Sequence, residues 1–183
     1  SRFNMSFAIF SDSSCNLPKA QLEEFQVQII SSSYEREGKL ITCPPYPEDF
    51  DGHEYYNFLR NKGVVKTSLI PAAQMEDAFR PVLAAGEDVL YITLSSGISG
   101  TVASGLQAAQ ALMEEFPQRQ VRVLDSMGAG FGIGLLLGRA SDDRKAGLNL
   151  DQTYASLERD RDNLCEFFTV DDLMFLRRTG RLS

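Results

Sequence analysis

The segment from Val89 to Phe116 constrains this chain most. Val89 to Leu94 is a continuous apolar run rich in β-branched and aromatic side chains, as expected of a strand buried on both faces. It stops at Ser95-Ser96-Gly97-Ile98-Ser99-Gly100-Thr101, and a helical spacing follows at once. Val102, Leu106, Ala109, Leu112, Met113 and Phe116 fall on one helical face, with Glu114, Glu115 and Gln118 off it. A strand buried on both sides requires helices above and below its sheet.

The same unit recurs along the chain. Phe7 to Phe10 is a short apolar run broken by Ser11-Asp12-Ser13-Ser14, after which Asn16-Leu17-Pro18 offers an N-cap and an early-helix proline before Ala20 to Phe25. Val27 to Ser33 reads as a strand, and Tyr34 to Asp51 as a surface loop, since it mixes glycine, prolines and charges without a period. Asp51 to Arg60 carries a helical face of Tyr55, Phe58 and Leu59. A helix from Pro71 to Gly86 follows, which Pro81 should kink or restart. Val121 to Leu124 is a further strand, closed by Asp125-Ser126. Gly128 to Ala140 is apolar with five glycines, each costing about 1 kcal/mol inside a helix, so close packing against a neighbour is expected there. Asp151 to Leu164 reads as an amphipathic helix, Phe167 to Val170 as a strand, and Asp171 to Arg178 as a short helix. The expected fold class is α/β: a mostly parallel sheet with helices on both faces.

Composition removes several classes. Of 183 residues, 43% are hydrophobic and 23% charged, which fits a globular chain rather than a disordered or fibrous one. The net charge of −7, with Lys and Arg scattered, argues against nucleic acid as a partner. The longest apolar stretch, Phe131 to Leu137, falls far short of a membrane span of about 18 residues. Cys15, Cys43 and Cys165 are odd in number and have no metal-ligand spacing, so a reducing cytoplasm is expected and a metal site is not.

In an open parallel sheet, ligands sit beyond the carboxyl ends of the strands, and here those turns present hydroxyls. Ser11, Ser13 and Ser14 lie in one, Ser95, Ser96, Ser99 and Thr101 in another, and Ser126 in a third; Thr67-Ser68 precedes the Pro71 helix. Hydroxyls, glycine-exposed N–H groups and helix dipoles together can hold a carboxylate or phosphate without a formal positive charge. The competing reading is that these serines cap helices. Gly97-Ile98-Ser99-Gly100-Thr101 also matches all but the last position of a Gly-x-Ser-x-Gly nucleophile elbow. A serine-dependent esterase using Ser99 is therefore the alternative, although His53, the single histidine, lies in a polar loop. Asp12 and Asp125, at strand ends, are expected to orient backbone N–H groups of their own turns rather than act as nucleophiles.

Taken in order, these turns resemble the DegV family of bacterial fatty-acid-binding proteins. The resemblance rests on Ser11-Asp12-Ser13-Ser14 with Leu17-Pro18, Lys66-Thr67-Ser68 before a proline, Ser95 to Thr101, Asp125-Ser126, and Leu176 to Ser183 with its Gly180-Arg181-Leu182-Ser183. It implies a non-catalytic carrier of two α/β domains that holds one long-chain fatty acid, such as palmitate, stearate or oleate, in a tunnel. Thr67 and Ser99 would hold the carboxylate, with Ser96 beside them and Arg181 near the head group. Several relatives present the carboxyl group to a separate fatty acid kinase, which is the partner the resemblance implies. Residues 5–150 would form the head-group domain and residues 151–183 the start of a second, incomplete one. Two departures stand out: Thr67-Ser68-Leu69-Ile70-Pro71 has an extra residue and lacks the glutamine often found before that proline, and members of the family are longer.

Overall fold

The computed structural model describes residues 7–15, 17–46, 65–93, 100–127 and 130–167. Four parallel strands make the main sheet: β1 (Phe7–Asp12), β2 (Val27–Ile30), β6 (Asp88–Thr93) and β7 (Val121–Asp125), in the order β2-β1-β6-β7. Among the described residues five α-helices accompany them: α1 (Lys19–Phe25), α2 (Ala72–Ala84), α3 (Thr101–Glu115), α4 (Gly130–Lys145) and α5 (Leu150–Phe167).

Alternation along the strands separates two core layers. Phe7, Ile9, Leu90, Ile92 and Leu124 face one side, where they pack with Leu22 of α1, Ile133, Leu136, Leu137 and Ala140 of α4, and Leu150 and Leu157 of α5. Ala8, Phe10, Val89, Tyr91, Val121 and Val123 face the other, against Met75, Phe79 and Leu83 of α2 and Ala108, Ala109 and Leu112 of α3. The Phe79 ring sits edge-on to Phe10 at 4.9 Å between centroids. Helices thus cover both faces, as the continuous apolar strands require.

The glycine-rich helix has the close neighbours its sequence implies. A Cβ on Gly134 would lie 3.1 Å from a Leu17 methyl, and one on Gly138 would lie 3.2 Å from the Phe25 ring. Arg144, near the end of α4, is buried and donates from Nη2 to the carbonyls of Phe25 and Gln26, at 2.7 and 3.3 Å, closing the end of α1. Burial pulls the Arg144 guanidinium below its ordinary value.

Four expectations are corrected. Tyr34 to Asp51 is not simply a loop: β3 (Ser33–Arg36) and β4 (Lys39–Thr42) form an antiparallel hairpin. Glu37 and Gly38 turn it, both with positive φ, 51° and 78°, as a two-residue hairpin turn requires. Gly38 reads as a loop breaker in the sequence because the flanking strands are charged and half exposed. β3 also pairs antiparallel with β5 (Val65–Ser68), so a second sheet, β4-β3-β5, stands beside the parallel one. The expected strand Val27 to Ser33 accordingly divides: β2 ends at Ile30 and Ser33 opens β3.

The core face of α3 is also rotated from the expected stripe. Thr101, Gly105, Ala108, Ala109 and Leu112 are buried, whereas Leu106 is 55% and Met113 37% exposed. The small residues decide this: a Cβ on Gly105 would lie 3.2 and 3.3 Å from the two Val123 methyls, so the helix lies against β7 at a distance that side chains on that face would prevent. Finally, α2 does not restart at Pro81 but runs through it to Ala84. The expected helix at Asp51 to Arg60 and the segment from Asp171 to Arg178 lie outside the described residues. The expected strand Phe167 to Val170 begins at the last residue of α5, and its remainder lies outside them as well.

Candidate functional site

From β1 the chain passes through α1 to β2 on one side, and later returns to β6 on the other side of β1. The carboxyl ends of β1 and β6 therefore flank the point where the winding changes direction, which is where open α/β sheets form a crevice. Register extends the β1–β6 pairing to place Asp12 beside Thr93, and Thr93 pairs with Asp125.

Polar groups crowd that edge on both faces. Asp12 is 3% exposed, and its Oδ2 accepts hydrogen bonds from the Tyr91 hydroxyl at 2.6 Å and the Thr93 hydroxyl at 2.7 Å. Burial first, and then the charge of Asp12, push the Tyr91 phenol well above its ordinary value, so it remains a donor. Asp12 thus does more than orient its own turn: it ties β1 to β6. Strand alternation places Asp12, Tyr91 and Thr93 on one face, a signal present in the sequence once the register is known. Asp125 behaves as expected, its Oδ1 accepting from the Met127 N–H at 2.8 Å within its own turn.

On the opposite face the Ser11 hydroxyl donates to the Ile92 carbonyl at 2.8 Å. Burial raises the Cys15 thiol above its ordinary value, which keeps it protonated and unreactive. Ser13 Oγ accepts the Ser32 N–H at 3.1 Å, and the Gln74 side chain donates to the Ser31 carbonyl at 2.8 Å. These two bonds fasten the β2–β3 joint, and with it the small sheet, at the same edge.

The starts of three helices bear on the capping reading. The N-cap positions of α1, α2 and α3 are Pro18, Pro71 and Gly100, none making a side-chain cap bond. No serine therefore occupies the N-cap position of these three helices.

The anticipated ligand residues are only partly within the described residues. Thr67 lies in β5, in register with Tyr34. Ser96, Ser99, Arg181 and His53 lie outside them, but Gly100, the residue after Ser99, does not. Its backbone is left-handed, with φ 68° and ψ 4°, a conformation glycine adopts without strain. A Cβ there would lie 3.6 Å from the side chain of Leu69, two residues after Thr67. The structure therefore brings the end of β5 against the start of α3. Two open grooves, about 640 and 730 Å³, lie elsewhere: one along α5 around Gln152 and Arg159, the other between α1 and α4 around Phe25 and Gly138. No helix among the described residues is long and apolar enough to cross a membrane.

A parallel α/β sheet whose strands end in polar residues at its switch point is the architecture in which small-ligand sites form. Residues 6–183 match the sequence profile of the DegV family, described as uncharacterised proteins, and the chain belongs to that family. A DegV domain-containing protein of Clostridium perfringens is 32% identical over 181 residues, covering 97% of this chain and 60% of the relative. One from Lactococcus lactis is 29% identical over 185 residues, covering 97% and 61%. Among solved structures, a DegV family protein from Thermus thermophilus described for its fatty acid binding superposes with a TM-score of 0.74 and 28% identity, covering 86% of this chain and 54% of that one. A stearic-acid-binding protein from Eubacterium ventriosum gives 0.72 and 26%, covering 83% and 52%. The chain thus spans about three-fifths of the length of the curated relatives it matches.

Proposed function

We propose that this chain binds a long-chain fatty acid and holds its carboxylate at the carboxyl edge of the β1–β6 crevice, through Thr67 and Ser99 with Ser96 beside them. One observation supports the reading: the Leu69 side chain, two residues after Thr67, lies beside Gly100, the residue after Ser99. Relatives described as fatty-acid-binding and stearic-acid-binding proteins support the ligand class. Neutral hydroxyls satisfy an ionised carboxylate while avoiding the desolvation of a buried cation. The tail contributes roughly 0.8 kcal/mol per buried CH₂, so a chain of palmitate length dominates affinity.

In this reading the protein performs no chemistry itself. It presents the head group to a separate fatty acid kinase, with Arg181 near the carboxylate, and a second α/β domain, into which α5 leads, supplies the other tunnel wall. A reducing cytoplasm suits the free thiols of Cys15 and Cys43.

The test is mass spectrometry of protein purified without added lipid, followed by titration with palmitate and oleate. A stoichiometric fatty acid is expected. Thr67→Val and Ser99→Ala should each weaken palmitate binding by roughly ten-fold or more, the value of a hydrogen bond to a charged group. Absence of co-purified lipid together with no binding of either acid would reject the proposal, and unchanged affinity in both variants would place the head group elsewhere.

A further inference from the structure

We propose that Ser126 and Arg161 form a second contact for the acyl carboxylate, on the α5 side of the same edge. The inference rests on the fatty-acid reading above and adds two residues to it. Ser126 follows β7, and its backbone is fixed from both sides. Its N–H donates to the Thr93 carbonyl at 2.9 Å, while the carbonyl of the same peptide, that of Asp125, accepts from Arg161 Nη1 at 3.1 Å. Alternation from Leu124, which lies in the core layer shared with α4 and α5, puts Ser126 on that face. Arg161 comes from α5, the helix packed there. The hydroxyl and the guanidinium therefore flank one clamped peptide group.

Ser126 is fully buried, and its Oγ has no hydrogen-bond partner among the described residues. Ser141 and Thr153 share that condition, but both lie within helices, where the carbonyl one turn back is in reach after a rotamer change. Ser126 instead follows a strand and precedes Met127, whose φ is 59°. A buried hydroxyl without a partner is destabilising, and one held in place by its own peptide suits a ligand atom.

Arg161 supplies the charge. Its side chain is 16% exposed. Nε and Nη2 donate to Asp162 Oδ1, both at 3.1 Å, and Nη1 donates to Asp125. One N–H on each terminal nitrogen is left without a partner among the described residues. Asp162 already holds part of the guanidinium's charge, so the corner offers one hydroxyl and part of one cation. That set suits a single carboxylate better than a more highly charged group, and it discriminates against a neutral head group of the same tail.

The experiment compares palmitate with hexadecanol, which shares the tail and lacks the charge, on the wild-type protein and on Ser126→Ala and Arg161→Gln. Melting temperatures without lipid are measured in parallel. The wild type should bind both probes, palmitate more tightly. Each variant should lose roughly ten-fold or more in palmitate affinity and several-fold less for hexadecanol, whose hydroxyl carries no charge to pair with Arg161. The lipid-free melting temperature of Ser126→Ala should hold or rise, because the orphan hydroxyl is gone. Equal losses for the two probes, or none, would overturn the assignment and leave Ser126 and Arg161 as structural residues. A wild type that binds neither probe would instead refute the fatty-acid reading itself, and this contact with it. Should Arg161→Gln fail to fold, Ser126→Ala decides alone.

Discussion

Replacing Tyr91 by Phe removes one of the side-chain hydrogen bonds that Asp12 accepts across the two central strands. The ring is fully buried and packs 5.7 Å from Phe79 between centroids, contacts that Phe retains. What disappears is the 2.6 Å bond to Asp12 Oδ2. A hydrogen bond to a charged group contributes about 1.5–3 kcal/mol, and Thr93 remains on the same oxygen at 2.7 Å, so a loss near 1.5 kcal/mol is expected. Urea denaturation at neutral pH measures it as a lower midpoint with an unchanged slope. The same variant has a pH signature. Because the Tyr91 pKa is raised in the fold, above about pH 10 the unfolded chain releases a proton that the folded chain keeps. Stability should therefore fall with rising pH there, by up to about 1.4 kcal/mol per unit for this group. Tyr91→Phe should flatten that fall relative to wild type; Tyr154, also raised by burial, contributes equally to both proteins and cancels in the difference. A loss below about 0.5 kcal/mol at neutral pH together with an unchanged alkaline slope would refute the coupling.

Gly105→Ala should destabilise by about 1–2 kcal/mol despite the gain in helix propensity of about 1 kcal/mol, because its Cβ meets both methyls of a β-branched valine; thermal denaturation checks the sign, and a stabilised variant would show that α3 can shift. Arg144→Gln should lower stability by roughly 1–2 kcal/mol through loss of its bonds to the Phe25 and Gln26 carbonyls, read as faster amide exchange in α1; exchange unchanged there would separate Arg144 from the end of that helix.

The parallel sheet is legible in the sequence because each strand buried on both faces leaves a continuous apolar run, as Val89 to Leu94 does. The hairpin is not, since Tyr34 and Glu35 in β3 are paired by turn geometry at Glu37-Gly38 rather than by apolar alternation. The buried face of α3 departs from its most hydrophobic stripe, because shape complementarity at Gly105 outweighs the greasier Leu106 and Met113. At the site, the hydroxyl-bearing turns are visible as strings of serines. The Asp12–Tyr91–Thr93 triad and the bond from Arg161 to the Asp125 carbonyl are not, because each joins residues that only strand register or helix docking brings together.

The docking of α5 has a consequence for self-association. β7 is the outermost strand of the parallel sheet among the described residues, and its outward carbonyls at Val123 and Asp125 accept from the Tyr154 hydroxyl at 3.4 Å and from Arg161 at 3.1 Å. A bare margin of this kind templates strand addition from another molecule. By lying along it and occupying its acceptors, α5 denies a second copy the backbone groups from which fibrous stacking would start.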